Sequence, residues 1–147
     1  MAGATFSFRR KVVLHTSGAL DSAVLAPLRS RGGAVGSLHP LQTFGRHVLS
    51  LAGVHFAVEG DEAALRLAQS LVTDWHGKLL RLKPGQKSFY HATTTFASPL
   101  FTPLMEAAVR PMGRAGIGPK AAFHALRPPA RDHAGELCPH RQAKLDR

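Results

Sequence analysis

Residues 53–82 read GVHFAVEGDEAALRLAQSLVTDWHGKLLRL, and this stretch decides the fold class. Gly53 to Glu59 alternates well enough for a strand. From Asp61 to His76 the residues Ala64, Leu67, Ala68, Leu71, Val72 and Trp75 fall on one helical stripe. Asp61 and Glu62 suit the positive end of that helix and Gly77 suits its stop. Lys78 to Leu82 then predicts a second strand. Strand, amphipathic helix and strand in this order predict a crossover unit of α/β type.

The same pattern extends towards the N-terminus. Lys11 to His15 (KVVLH) is a short apolar run that reads as a strand buried on both faces. Ser22 to Arg31 predicts a helix capped by Asp21 or Ser22 and stopped at Gly32-Gly33, with Pro27 tolerable near its first turn. Ala34 to Leu38 is the next strand, so the order β, α, β, β, α, β implies α/β layers on a largely parallel sheet.

After Pro84 the period becomes helical throughout, with Phe89, Ala92, Phe96 and Leu100 on one stripe. Pro99, Pro103 and Pro111 predict a break between about Ser98 and Leu104. A turn at 116–119 leads into a last short helix over about 120–126. Residues 127–147 (RPPARDHAGELCPHRQAKLDR) show no apolar period and read as disordered. The expected domains are therefore 11–83, 84–126 and an aberrant tail at 127–147.

Composition excludes several function classes. The 147 residues are 44% hydrophobic and 19% charged, the balance of a globular chain. No apolar run approaches the roughly 18 residues that span a bilayer, so no membrane partner and a cytoplasmic location are expected. A single cysteine, Cys138, rules out an internal disulfide, and Cys138-Pro139-His140 is too isolated for a zinc set, so no metal is expected. The net charge of +10 divides into +3 at Arg9-Arg10-Lys11, +5 over 12–126 and +2 in the tail. Basic residues scattered singly, without interleaved aromatics, describe a solvated surface and no nucleic-acid site.

Three polar constellations carry chemistry. His15-Thr16-Ser17-Gly18 and His39-Pro40-Leu41-Gln42 each follow a strand, where ligands of open α/β sheets bind. Thr16-Ser17-Gly18 equally fits an ordinary strand-to-helix turn, and His39 equally fits a loop histidine bonded to carbonyls. Lys87 and His91, four apart, share a helical face, and a lysine beside an imidazole in a dehydrated cleft can exchange protons near neutrality. Tyr90 is expected to point elsewhere. A surface lysine beside a capping or core histidine is the competing reading. No G-x-G-x-x-G follows a strand, and no Walker or Gly-x-Ser-x-Gly motif occurs.

Taken in order, VVLHTSGAL (12–20), GAVGSLHPLQTF (33–44), GVHFAVEGD (53–61), KSFYHATTTFAS (87–98) and GRAGI (113–117) resemble a particular group. These are the uncharacterised Rossmann-like oxidoreductases with a C-terminal helical domain of unknown function, related to pyrroline-5-carboxylate reductase and 6-phosphogluconate dehydrogenase. The resemblance covers residues 11–126. It implies the C-terminal half of a Rossmann-like NADP- or NAD-binding domain, then the start of an all-α domain that dimerises, with a small-molecule substrate between them. It implies hydride transfer to or from a small carbonyl or imine. Thr16, Ser17 and Gly18 match the segment facing the cofactor, Lys87 and His91 match the lysine-led acid/base pattern, and His39 matches the His-Pro loop.

Three departures from that pattern shape the expectation. The family's glycine-fingerprint unit precedes the point where this sequence begins, Pro99 stands where the family favours asparagine, and the family pattern is expected to end near Arg127. The tail's codons, read one nucleotide displaced, can encode a family-like helix, so a frameshift is expected there. A truncated chain of this kind is expected to bind no cofactor and to be inactive alone. The alternative is a non-catalytic module docking on another chain.

Overall fold

The computed structural model describes residues 6–44 and 50–140. Its order is β1 (Val12–His15), a 3-10 turn (Ser22–Leu25), α1 (Ala26–Arg29), β2 (Ala34–Pro40), β3 (His55–Gly60), α2 (Glu62–Asp74) and β4 (Lys78–Arg81). Three helices follow: α3 (Lys87–Ala97), α4 (Phe101–Arg114) and α5 (Pro119–His140). The chain forms two compact units divided between Thr95 and Phe96, later than the boundary expected at 83/84.

In the first unit the four strands lie in the order β1-β2-β3-β4. β1 pairs with β2 and β3 with β4 in parallel, while β2 and β3 run antiparallel with Leu38 opposite Val58. A parallel pair needs a crossover, and the helices between β1 and β2 and between β3 and β4 provide it. The described part of 41–54 contains no helix, so the chain turns back after Pro40 and the central pair reverses.

The pleat sends successive side chains to opposite faces, and here the two faces differ in chemistry. Leu38, Phe56 and Val58 pack on Ala68 and Val72 of α2 to form the core, joined at its edge by Leu14, Leu65, Leu71, Trp75 and Leu79. Gly36 lies under the same helix, where an added Cβ would stand 2.8 Å from the Cβ of Ala64. The alternate residues Ser37, His39 and Glu59 therefore face the other way, with Ser37 opposite Glu59 across the ladder.

Helix α2 starts one residue later than the stripe suggests. Asp61 makes no side-chain cap, because its carboxylate accepts from the Val35 amide at 2.9 Å and pairs with Arg29 at 2.9 Å. The carboxylate thus ties β2 and α1 to the entry of α2.

In the second unit α4 packs on α5. The break at 98–100 falls inside the expected interval, and Pro111 is accommodated within α4. Helix α5 corrects the reading of the tail. It passes the expected end at Leu126 and the Pro128-Pro129 pair and continues to His140. Proline holds φ near −65°, which suits the helix, but inside one it forfeits an amide donor and crowds the carbonyl four residues back. Ala121, Ala122, Ala125, Ala130 and Ala134 supply strong helix propensity on both sides of the pair. Residues 141–147 of the expected tail lie outside the described residues.

Candidate functional site

The polar face of the sheet gathers a cluster within the first unit. β1 ends at His15, whose Nδ1 accepts from the Ser17 amide at 3.2 Å. The ring proton is thereby assigned to Nε2, which donates to the Asp21 carbonyl at 3.1 Å. Ser17 Oγ accepts from the Ala19 and Leu20 amides at 3.2 and 3.1 Å, so its hydroxyl shapes the turn itself. Thr16 is exposed. Gly18 lies against His39, and an added Cβ would stand 2.8 Å from His39 Nε2.

The strand β2 supplies Ser37 and His39 two residues apart, as the pleat requires for one face. Ser37 is fully buried, accepts from Lys87 Nζ and donates to the Ser17 carbonyl at 3.5 Å. His39 Nδ1 meets the Tyr90 hydroxyl at 2.7 Å, with the two rings edge to face. Lys87 and Tyr90 are three apart on α3, a spacing that puts both side chains on the sheet side, and Lys87 Nζ lies 5.8 Å from the Tyr90 ring centroid.

This arrangement corrects the expected pairing on α3. Tyr90 was expected to point away and instead completes the cluster, while Lys87 turns to Ser37 rather than to His91. His91 is exposed, and its carbonyl accepts from the Thr94 and Thr95 hydroxyls. It still bears on the cluster electrostatically, because its charge helps to depress His39.

Burial sets the protonation behaviour. Lys87 is 2% exposed, and desolvation lowers its pKa, opposed by the negative charges of Glu59 and Asp21. Its position as the first residue of α3 adds to the cost of the ammonium, since a helix N-terminus is electropositive. His39 is lowered by burial, then by Lys87 and His91, and burial raises Tyr90. A neutral His39 accepting the Tyr90 proton at Nδ1 leaves its Nε2–H facing the Ser17-Gly18 turn.

The site residues expected from sequence leave out four members of this cluster: Ser22, Ser37, Glu59 and Tyr90. Ser37 was legible as the polar residue two before His39 in an apolar strand, and Tyr90 as the i+3 partner of Lys87. Glu59 accepts from the Ser22 amide at 2.9 Å and from its hydroxyl at 2.8 Å, a long-range contact that no local spacing encodes.

Residues 54–143 match the family model described as a domain of unknown function, DUF2520. The chain belongs to that family. The match includes residues 127–143, past the point where the family pattern was expected to end. No curated protein sequence matches this DUF2520 chain. Among solved structures it resembles a Thermotoga maritima protein at 23% identity and TM-score 0.69, over 86% of this chain and 50% of that one. It also resembles the Plasmodium falciparum pyrroline carboxylate reductase with NADP bound, at 10% identity and TM-score 0.63, over 93% and 56% of the two chains. A reductive aminase from Aspergillus terreus, in complex with NADPH and ethyl-5-oxohexanoate, matches at 14% identity and TM-score 0.66, over 89% and 47%. At these identities the likeness establishes a Rossmann-like fold. The DUF2520 chain spans about half the length of these structures.

Two of these neighbours hold NADP or NADPH, and the pyrophosphate of such a dinucleotide needs free amides at a glycine turn opening a helix. The described residues of the sheet unit do not fit that part. At the exit of β1 the Ser22 amide goes to Glu59 and the Ala23 amide to Asp21. The first turn of α2 carries Asp61 and Glu62, whose charge repels phosphate. What the described residues do provide is a buried amine, an imidazole–phenol pair and a close turn on one face of the sheet.

Proposed function

We propose that the DUF2520 chain carries the proton-transfer side of an NAD(P)-dependent reductase acting on a small carbonyl or imine. The observation that carries this reading is the buried Lys87 ammonium, held by Ser37 beside the His39–Tyr90 pair and the Ser17-Gly18 turn. A carbonyl oxygen or imine nitrogen gains basicity as it is reduced, so an ammonium in a dehydrated site is matched to deliver its proton there. Ser37 fixes the direction of the Lys87 amine, and the Tyr90–His39 pair sets the polar wall beside it. His91 contributes charge from the rim. The hydride is what a reduced nicotinamide supplies when bound.

On this reading the chain by itself neither binds NADPH tightly nor turns over, since at the β1 exit the Ser22 and Ala23 amides are engaged by Glu59 and Asp21 and leave no cradle for a pyrophosphate there. Self-association through the helical unit belongs to the same reading. α4 buries none of its residues, and Phe101, Leu104 and Phe123 stand exposed.

The test is a lysine-selective 13C NMR titration with cyclohexanone, a small ketone, alongside calorimetry with NADPH. The Lys87 resonance, assigned through Lys87→Met, is expected to shift saturably with the ketone, while NADPH shows no tight binding. A Lys87 resonance that ignores the ketone would overturn the assignment of the proton donor. Tight NADPH binding would overturn the claim that the chain alone is inactive.

A further inference from the structure

Glu59 is a buried carboxylate that the proton-transfer reading leaves unused. It is 7% exposed in the middle of β3, and a strand interior offers glutamate no intrinsic reason to be there. Its two oxygens accept from the amide and the hydroxyl of Ser22, itself buried at the start of the 3-10 turn. Ser22 supplies two donors and no net charge, so the carboxylate's charge is left to act on something else.

The register identifies what that is. Glu59 lies directly opposite Ser37, and Ser37 is the acceptor of Lys87 Nζ. Opposite residues on one face of an antiparallel pair have Cβ atoms about 4.5–5.5 Å apart. The groups around Lys87 are Ser37 and His39 from β2, Glu59 from β3, Tyr90 and His91 from α3, and Asp21 at the cap of the 3-10 turn. His15 at the end of β1 reaches this region through the Asp21 carbonyl. Of these, Glu59 and Asp21 bring negative charge, and only Glu59 is buried.

We propose that Glu59 is the counter-charge of Lys87, a positioning residue that keeps the buried amine protonated and turned to Ser37. The role of Lys87 as proton donor rests on the reading above; the coupling of the two charges does not. Ser22 then acts as the clamp that points the carboxylate along the polar face, which accounts for a buried serine pairing across thirty-seven residues of chain.

The experiment follows the titration of Lys87 by lysine-selective 13C NMR in the full chain and in Glu59→Gln, Glu59→Asp and Ser22→Ala. Loss of an adjacent opposite charge is expected to lower the Lys87 midpoint by about 1 pH unit or more in Glu59→Gln. Glu59→Asp, which keeps the charge, should restore most of that fall, and Ser22→Ala, which removes one of the two bonds that point the carboxylate, should lower the midpoint by less than Glu59→Gln does. Equal midpoints in all four proteins would mean that Glu59 only anchors the 3-10 turn and would overturn the proposal. If Glu59→Gln does not fold, the same change is made in Lys87→Met, where the charge to be balanced is gone: a folded Glu59→Gln/Lys87→Met variant supports the pairing, and its failure to fold counts against it. A shifted midpoint without any ketone response leaves the counter-charge standing and removes the substrate reading instead.

Discussion

Replacing Lys87 with methionine separates function from stability more sharply than any other change. The side chain is 2% exposed, Ser37 is its hydrogen-bond acceptor, and it sits at the positive end of α3. Lys87→Met keeps the length and most of the volume while deleting a desolvated charge. Glu59 retains both bonds from Ser22, and Ser37 retains its bond to the Ser17 carbonyl. The lowered pKa of Lys87 means that relief of burial outweighs the lost attraction to Glu59, and each pH unit of that lowering corresponds to about 1.4 kcal/mol at pH 7. For a domain of this size each kcal/mol raises the melting temperature by about 4–8 °C.

The pH dependence supplies the sign. Lys87 is a base with a lowered folded pKa, so between that pKa and the unfolded value near 10.4 the unfolded chain binds more protons and stability rises with pH. The penalty of the buried ammonium is complete below the folded pKa and is relieved on approaching pH 10. Thermal melts of both proteins between pH 6 and 10 should show Lys87→Met melting higher at pH 7, with the gap closing as pH rises. A variant that melts lower at pH 7, or a gap that ignores pH, refutes the reasoning. The same variant should lose the ketone response at the site.

Other perturbations follow from the same geometry. Tyr90→Phe deletes the hydroxyl 2.7 Å from His39 Nδ1 and should cost about 1 kcal/mol in denaturant melts, with His39→Phe/Tyr90→Phe less destabilised than the sum of the single changes. Gly36→Ala drives a methyl to 2.8 Å from Ala64 and should cost about 1–3 kcal/mol, part of it recovered by Ala64→Gly; full stability in the single variant would contradict the packing of α2 on this face. His39 is held below its ordinary value by burial, then by Lys87 and His91, so its contribution is intact above about pH 6.5 and fades as pH falls towards the folded pKa. Melting of the unaltered chain should therefore drop between pH 7 and 5, and His39→Gln should flatten that drop.

The register of local pattern was strong where one face of an element is buried. The stripe of α2 and the alternation of β2 and β3 declare their elements because apolar burial repeats at 3.6 or 2 residues. By the same logic HTSG and His39-Pro40 were visible as polar groups at strand ends. The extent of α5 was not visible, since tandem proline stops a propensity reading while the backbone geometry it imposes still suits a helix. Nor was the partner of Lys87: spacing allowed both His91 at i+4 and Tyr90 at i+3, and only the docking of α3 on the sheet selects the latter.

By itself, then, the sequence determined the α/β class, the two helical breaks near Ser98 and Gly116, and the polar residues that close the strands β1 and β2. Those properties follow from periodicity and from residue type, which are local. The tertiary structure alone decided that the central strand pair is antiparallel, that Ser37 and Glu59 sit opposite each other, and that Ser22 reaches across the chain to hold Glu59. Charges and hydrogen bonds act over a few ångströms of space, so a buried ion and its partners are fixed by which strands and helices meet, not by their distance along the chain.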